Sequence, residues 1–256
     1  MIDVRNVSKS FINNDQLSPV LEDVTFSVKE GEIVTLLGQS GCGKSTLLHI
    51  IGGFLQPDDG VITLEGKQVK RPTKRCMMLF QQQNLLPWRT VLKNVLLGLE
   101  KEDMPESEKR EKALEAIRFV GLEEHIDRYP HQLSGGMQQR AAIARAFAAE
   151  PKIILMDEPF AALDTFNRYR LQDELIKMQA KKKTTIVLVT HDIDEAVYLS
   201  DRVLIMQSSP GKIYKEIHIQ LSKPRDRASD DYNYYRKKIF ETFAISGQRY
   251  EMEYSI

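Results

Sequence analysis

Glu32-Ile33-Val34-Thr35-Leu36-Leu37-Gly38-Gln39-Ser40-Gly41-Cys42-Gly43-Lys44-Ser45-Thr46 is the stretch on which the fold turns. Its first six residues form an apolar, β-branched run without alternation, the pattern of a strand buried on both faces. Gly38 to Ser45 then fits the spacing of a phosphate loop, G-x-x-x-x-G-K-S, and residues 45–54 read as helix. Glycines let the backbone curl until successive N–H groups converge on phosphate oxygens, and the start of the following helix adds a partial positive charge. Lys44 is expected to reach the β- and γ-phosphates, and the Ser45 hydroxyl, beside Thr46, to ligate Mg²⁺.

Outward from this loop, residues 152–156 and 184–189 repeat the buried-strand character and alternate with a helical stretch at 168–181. Strands separated by helices predict a parallel sheet with crossover connections. Residues 2–28 alternate instead, as antiparallel strands do, around a polar loop expected at 13–19. From about 85 to 149 charged, helix-favouring residues (106–120), a stop at Gly121, a turn at Pro130 and an Ala-rich segment (136–149) predict a helical insertion. Past Asp201 come short strand-like pieces at 202–206 and 212–219, then a Tyr-rich helical tail at 230–243. The expected fold is an α/β P-loop NTPase: a mostly parallel core sheet, an N-terminal antiparallel β-subdomain and an inserted α-helical subdomain. One domain would span 1–220, with 221–256 as a short helical extension.

Composition sets the outer limits. The chain has 256 residues, 42% hydrophobic and 28% charged, enough for a substantial core. Its 36 basic residues balance its 36 acidic ones, so charge gives no case for a nucleic-acid partner. Cys42 and Cys76 are too few for a disulfide framework, and a bridge from Cys42 would obstruct the phosphate loop; a reducing cytosol fits. The first six residues do not read as a secretory signal, and no run approaches the roughly 20 apolar residues that cross a bilayer. Any membrane role therefore requires a partner that supplies the span.

Two further segments carry chemistry. Ile153-Ile154-Leu155-Met156-Asp157-Glu158-Pro159 puts two carboxylates at the end of a buried strand, where open parallel sheets hold their active sites. Asp157 suits Mg²⁺, and Glu158 suits the attacking water, whose proton it can draw on; read alone, the pair would also pass for a solvated turn. Leu133-Ser134-Gly135-Gly136-Met137-Gln138-Gln139-Arg140 opens the Ala-rich helix with a second anion-binding start, or with no more than a helix cap.

With that segment, the order of motifs resembles the ABC ATPases over residues 2–220, Leu133 to Arg140 being similar to their signature sequence. Met137 stands where the family commonly has Gln. The resemblance implies that Ser134, Gly135 and Gly136 contact the γ-phosphate held by another copy of the chain. It further implies that Phe11 stacks on adenine and that Gln81 senses Mg²⁺ and the attacking water. Asp164 would lie in the loop that passes between protomers, and His191, followed by Asp192, would be the switch histidine touching the γ-phosphate. Gln82 and Gln83 follow Gln81, so that assignment rests on the position after Phe80. Ala161 replaces the commoner serine before Asp164. A Phe near a strand and a His at a strand end are, by themselves, ordinary core and surface residues, and the other four histidines show no metal-ligand spacing.

Taken whole, the resemblance implies an ATP-hydrolysing homodimer with ATP and Mg²⁺, peripheral to the cytoplasmic face of the membrane. Residues 81–95, with Trp88 and Asn94, look like the segment that receives a permease's coupling helix, although Trp88 would serve equally as a buried loop anchor. Together with Ser209-Pro210-Gly211-Lys212-Ile213 and residues 224–227, this is similar to the nitrate, sulfonate and taurine importer branch, in which an extracytoplasmic solute-binding protein is an indirect partner. A thiamine-precursor pyrimidine importer resembles the same branch, and a soluble, non-transport ABC ATPase is the competing class. The tail, with Tyr232, Tyr234 and Tyr235 among basic residues, reads as an amphipathic helix on its own domain rather than a nucleic-acid platform.

Overall fold

The structure, a computed structural model, describes residues 1–13, 16–208 and 210–245; Ser209, in the importer-like 209–213 segment, lies outside them. In chain order the strands are β1 (Ile2–Asn13), β2 (Gln16–Val28), β3 (Ile33–Leu37), β4 (Asp59–Leu64), β5 (Lys67–Gln68), β6 (Cys76–Leu79), β7 (Ile153–Asp157), β8 (Thr185–Thr190), β9 (Arg202–Gln207) and β10 (Lys212–His218). The helices are α1 (Lys44–Ile51), α2 (Val91–Leu96), α3 (Glu106–Phe119), α4 (Gly135–Ala148), α5 (Thr165–Lys182), α6 (Ile193–Leu199) and α7 (Asp230–Ile245). They fall into two units, Met1–Pro72 with Thr185–Ile256, and Thr73–Thr184.

In the first unit, β3 lies between β8 and β9 and runs parallel to both, Leu37 standing level with Thr190 and with Ile205. Every residue of β3 and β8 is buried, which is why neither alternates in sequence. A second, antiparallel sheet runs β2-β1-β4-β5. Its hairpin corrects the loop expected at 13–19: β2 begins at Gln16, and Pro19 pairs with Ser10. Proline can sit there because β2 is an edge strand, whose outward N–H has no ladder partner to lose. The hairpin end is solvent-exposed, with Ile12 and Leu17 largely in water, so the apolar pattern used to read strands does not mark it.

In the second unit, β6 and β7 are parallel, from Cys76 beside Ile153 to Leu79 beside Met156. Helices α2, α3 and α4 pack on one another. The Ala-rich face of α4 is buried at Ala141, Ala142, Ala144, Ala146 and Ala148, and Phe147 meets Phe119 edge to face at 5.4 Å. Small side chains let the helices approach closely, and the two aromatics fill the space that remains. Helix α3 ends before Gly121, whose φ of +65° is the left-handed conformation that stops a helix at little cost.

Among the described residues no helix is long and apolar enough to cross a membrane. The Tyr-rich tail is amphipathic as its spacing indicates: Tyr232, Ile239 and Phe243 are buried while Tyr234 is exposed.

Candidate active site

Parallel register positions the candidate residues of the first unit. Because Leu37 stands level with Thr190, the next residues, Gly38 and His191, leave neighbouring strands at the same carboxyl edge, where open parallel sheets present ligand-binding loops. Gly41 and Gly43 have φ of +82° and +93°, a conformation costly for side chains with Cβ, and Gly43 is the N-cap of α1. The loop has little room to shift. A Cβ on Gly43 would come within 2.7 Å of Leu21, and one on Gly211 would meet the Cys42 carbonyl at 2.2 Å. Lys44, 5% exposed, folds its ammonium over the loop and donates to the carbonyls of Gly38 (2.6 Å) and Gln39 (2.8 Å).

Cys42 and Cys76 are both free and buried. Burial raises the Cys42 thiol above its ordinary range despite the adjacent Lys44 ammonium, and pushes that of Cys76 up to about 12. Both are therefore protonated packing residues at neutral pH. Phe11, on the exposed hairpin, is 41% exposed with the Lys9 ammonium 5.5 Å from its ring centre.

His191 sits at the apex of a tightly tied turn. Thr190 Oγ1 donates to Glu195 Oε2 (2.7 Å) and accepts from the Asp192 N–H (3.0 Å). Asp192 Oδ1 accepts from the N–H groups of Asp194 and Glu195, capping α6.

In the second unit, register again does the positioning. Leu79 stands beside Met156, so two residues further on Gln81 reaches Glu158, and its Nε2 donates to Glu158 Oε2 at 3.2 Å. Asp157 closes β7 at 5% exposure. Glu158 has a φ of +47°, which costs an L-residue roughly 1–2 kcal/mol and swings the chain out of line with the strand. Ser134 is an N-cap, its Oγ accepting from the Met137 N–H at 3.3 Å. Gly136 lets α4 seat on the next loop, since a Cβ there would lie 3.0 Å from the Ala162 carbonyl. In that loop Asp164 caps α5 and accepts from the backbone and side chain of Asn167, bonds that hold its carboxyl below the ordinary range. Ser134, Gly135 and Asp164 are exposed.

A family model described as ABC transporter matches residues 21–161. The chain belongs to the ABC transporter family. An uncharacterised ABC transporter ATP-binding protein of Methanocaldococcus jannaschii is 51% identical over 92% of this chain and 88% of its own. The aliphatic sulfonates import ATP-binding protein SsuB of Bacillus cereus is 42% identical over 96% of this chain and 97% of its own. The nitrate import ATP-binding protein NrtC of Synechococcus elongatus is 46% identical over 81% of this chain and 32% of its own length. Among solved structures, a dimeric, post-hydrolysis ATP-binding cassette bound to ADP and Pi aligns with a TM-score of 0.79 at 34% identity, covering 87% of this chain and all of that one.

In this ABC chain the Mg²⁺ donors expected from the sequence, taken one by one, suit a hard cation by their chemistry. A serine hydroxyl, a carboxylate and a carboxamide oxygen are ligands Mg²⁺ accepts, and it keeps water and phosphate for its remaining positions. Among the described residues no cluster of three or more His, Cys, Asp or Glu could hold a metal ion by itself.

Three features were missing or undecided in the sequence. Trp88 is 71% exposed and so is not the buried anchor that was the alternative. The loop bearing it is held from below by Asn94, fully buried, which accepts from Leu86 N (2.8 Å) and donates to the carbonyls of Leu86, Arg89 and Thr90. Arg145 donates to the carbonyls of Asn84 and Gln83, tying α4 to the loop after Gln81. An arginine within an Ala-rich helix was the available signal, and its acceptors, being backbone carbonyls, leave no mark in sequence.

Proposed function

We propose that this chain is the ATP-hydrolysing subunit of an importer for a small anion or organosulfonate, working as a pair on the cytoplasmic face of the membrane beneath a separate permease. The observation that carries the catalytic part is the Gln81–Glu158 contact at the carboxyl end of a parallel strand pair. It supports a carboxylate held ready for water next to the metal-binding Asp157. Phosphoryl transfer to water asks for positioning and charge stabilisation rather than covalent catalysis. Glu158 would accept a hydrogen bond from the attacking water, which displaces ADP from the γ-phosphorus. Lys44, the phosphate-loop N–H groups and His191 would hold the phosphates, and Phe11 the adenine. Ser45, Asp157 and Gln81 would hold Mg²⁺, which neutralises charge on the phosphate oxygens.

The pairing is supported by the exposure of Ser134, Gly135 and Asp164 and by the dimeric state of the similar cassette. Ser134, Gly135 and Gly136 of one copy would close on the γ-phosphate of the other, so that hydrolysis removes the charge holding the two together. Exposed Trp88 on its stapled loop supports a permease contact near 81–95, and the sulfonate and nitrate relatives support the substrate class.

Replacing Glu158 by Gln is expected to preserve ATP binding and trap a closed dimer, and turnover at the parent's rate would remove the role assigned to Glu158. Mixing Lys44→Ala chains with Ser134→Arg chains tests the shared site: a mixed dimer keeps one intact composite site, so mixtures recover activity that neither variant has alone. Purifying the complex from membranes and identifying its solute-binding protein tests the substrate class, which a pyrimidine-binding partner would overturn.

A further inference from the structure

The residues from Arg225 to Arg236 carry none of the nucleotide-binding motifs, yet they grip both ends of α6, the seven-residue helix that begins two positions after His191. At its start, Arg236 clamps the Asp194 carboxylate through two bonds, Nε to Oδ1 at 2.6 Å and Nη2 to Oδ2 at 3.0 Å. Tyr232, 1% exposed, donates its hydroxyl to the Asp194 carbonyl at 2.9 Å, with Oδ1 of the same residue at 3.4 Å. At the other end, buried Arg225 donates to the carbonyls of Val197 and Tyr198. The Arg227 guanidinium lies 3.3 Å from the centre of the Tyr198 ring. A helix this short has little stability of its own, so its position is set by what holds its ends.

We propose that the 225–236 segment is a positioning brace for the turn that carries His191. The linkage is continuous. Tyr232 and Arg236 fix Asp194, the Asp194 N–H is bonded to Asp192 Oδ1 at 2.7 Å, and the Asp192 N–H is bonded to Thr190 Oγ1 at 3.0 Å, which brackets His191. Releasing the brace lets the turn wander, while the phosphate loop, which lies close against Leu21 and Gly211, is not part of this linkage. A small misplacement of a group that acts on the transferred phosphoryl lowers turnover steeply without weakening nucleotide binding. The Tyr-rich tail would thus tune the rate of the motor from outside the nucleotide site. This rests on the reading of His191 as a γ-phosphate contact.

The test compares Tyr232→Phe, Arg236→Ala, Arg236→Lys and His191→Ala in the full chain, measuring kcat, KM for ATP, melting temperature and hydrogen exchange of the 191–195 amides. Tyr232→Phe removes one hydroxyl and keeps the buried ring, so it remains informative if Arg236→Ala folds poorly. Tyr232→Phe and Arg236→Ala are expected to lower kcat about tenfold with KM within about twofold and faster exchange at 191–195, and Arg236→Lys to recover part of the loss. If His191→Ala loses turnover while the two brace variants keep the parent's kcat and exchange, the brace is wrong and His191 stands. If the kcat loss merely tracks a fall in melting temperature without faster exchange at 191–195, the segment is ordinary packing. Full turnover in His191→Ala would overturn the underlying reading instead.

Discussion

Gln81 donates from Nε2 to Glu158 Oε2 at 3.2 Å across 77 positions of sequence, because β6 and β7 are parallel and in register up to Leu79 and Met156. The amide holds the carboxylate without taking its charge. Replacing Gln81 by Ala is expected to lower kcat about tenfold with a smaller effect on ATP affinity, since the interaction serves orientation. Steady-state kinetics beside equilibrium nucleotide binding would decide it. A purely structural role would instead appear as lost stability with kcat intact.

Glu158 is strained where it is needed. Its φ of +47° suits glycine, so Glu158→Gly is expected to leave stability equal to the parent's or raise it by up to about 1 kcal/mol, once glycine's own entropy is set against the relieved strain. Turnover should fall by about 10² to 10⁴ as the base is lost. Urea unfolding and an ATPase assay on the same sample would expose the opposed signs, and a destabilised variant would show that Glu158 holds the fold as well.

Arg202 ties three separate segments of the first unit together. It donates to the Ser27 carbonyl and both Glu32 oxygens, and through Nε to Glu216 at 2.7 Å. Arg202→Met would leave the mostly buried Glu32 carboxylate with the Lys29 N–H but without its guanidinium partner, at a cost of about 3 kcal/mol in chemical denaturation.

Glu216 gives that network a pH signature. The Arg202 hydrogen bond holds its carboxyl below the ordinary 4.5. A depressed carboxyl contributes stability above its unfolded value, which is lost as pH falls through the folded one. His218 Nε2 also stands 2.8 Å from Glu216 Oε1, so the comparison is made in a His218→Asn background, where the stability of the parent relative to Glu216→Gln should be constant from neutral pH to about 5 and shrink below about 4.5. Because Glu216 is 35% exposed, the plateau should be no more than about 1 kcal/mol. A gap that widened with acid would refute the assignment.

Asn94 supports the exposed Trp88 loop. Asn94→Leu keeps the volume but removes the side chain's bonds to Leu86 N–H and to three carbonyls; those of Leu86 and Thr90 keep backbone donors, so Leu86 N–H and the Arg89 carbonyl lose most, at a cost of about 2–4 kcal/mol. Trp88→Ala removes no buried surface of comparable size and should barely change the melting temperature. It should, however, weaken capture of the permease. Trp88→Ala chains that co-purify with the permease as well as the parent would exclude the proposed contact.

The chemistry-bearing motifs are legible in the sequence for a physical reason. A phosphate loop, a buried strand ending in carboxylates and a capped helix are local solutions to local problems, written in adjacent residues such as Gly41 to Ser45, Asp157 with Glu158, and Ser134 with its glycines. Backbone conformation at Gly43 or Asp157 depends on the residues beside it, so reading those neighbours suffices.

Tertiary structure decided what depends on register and on backbone acceptors. That Gln81 meets Glu158 comes from how two parallel strands slide against each other, which short apolar runs leave undetermined. That Asn94 and Arg145 hold loops, and that Tyr232 and Arg236 reach Asp194 from 38 and 42 positions away, comes from side chains seeking the nearest unpaired polar group once packing has brought it close. The pull of burial on such groups is strong but has no periodicity, so it leaves no pattern in the sequence.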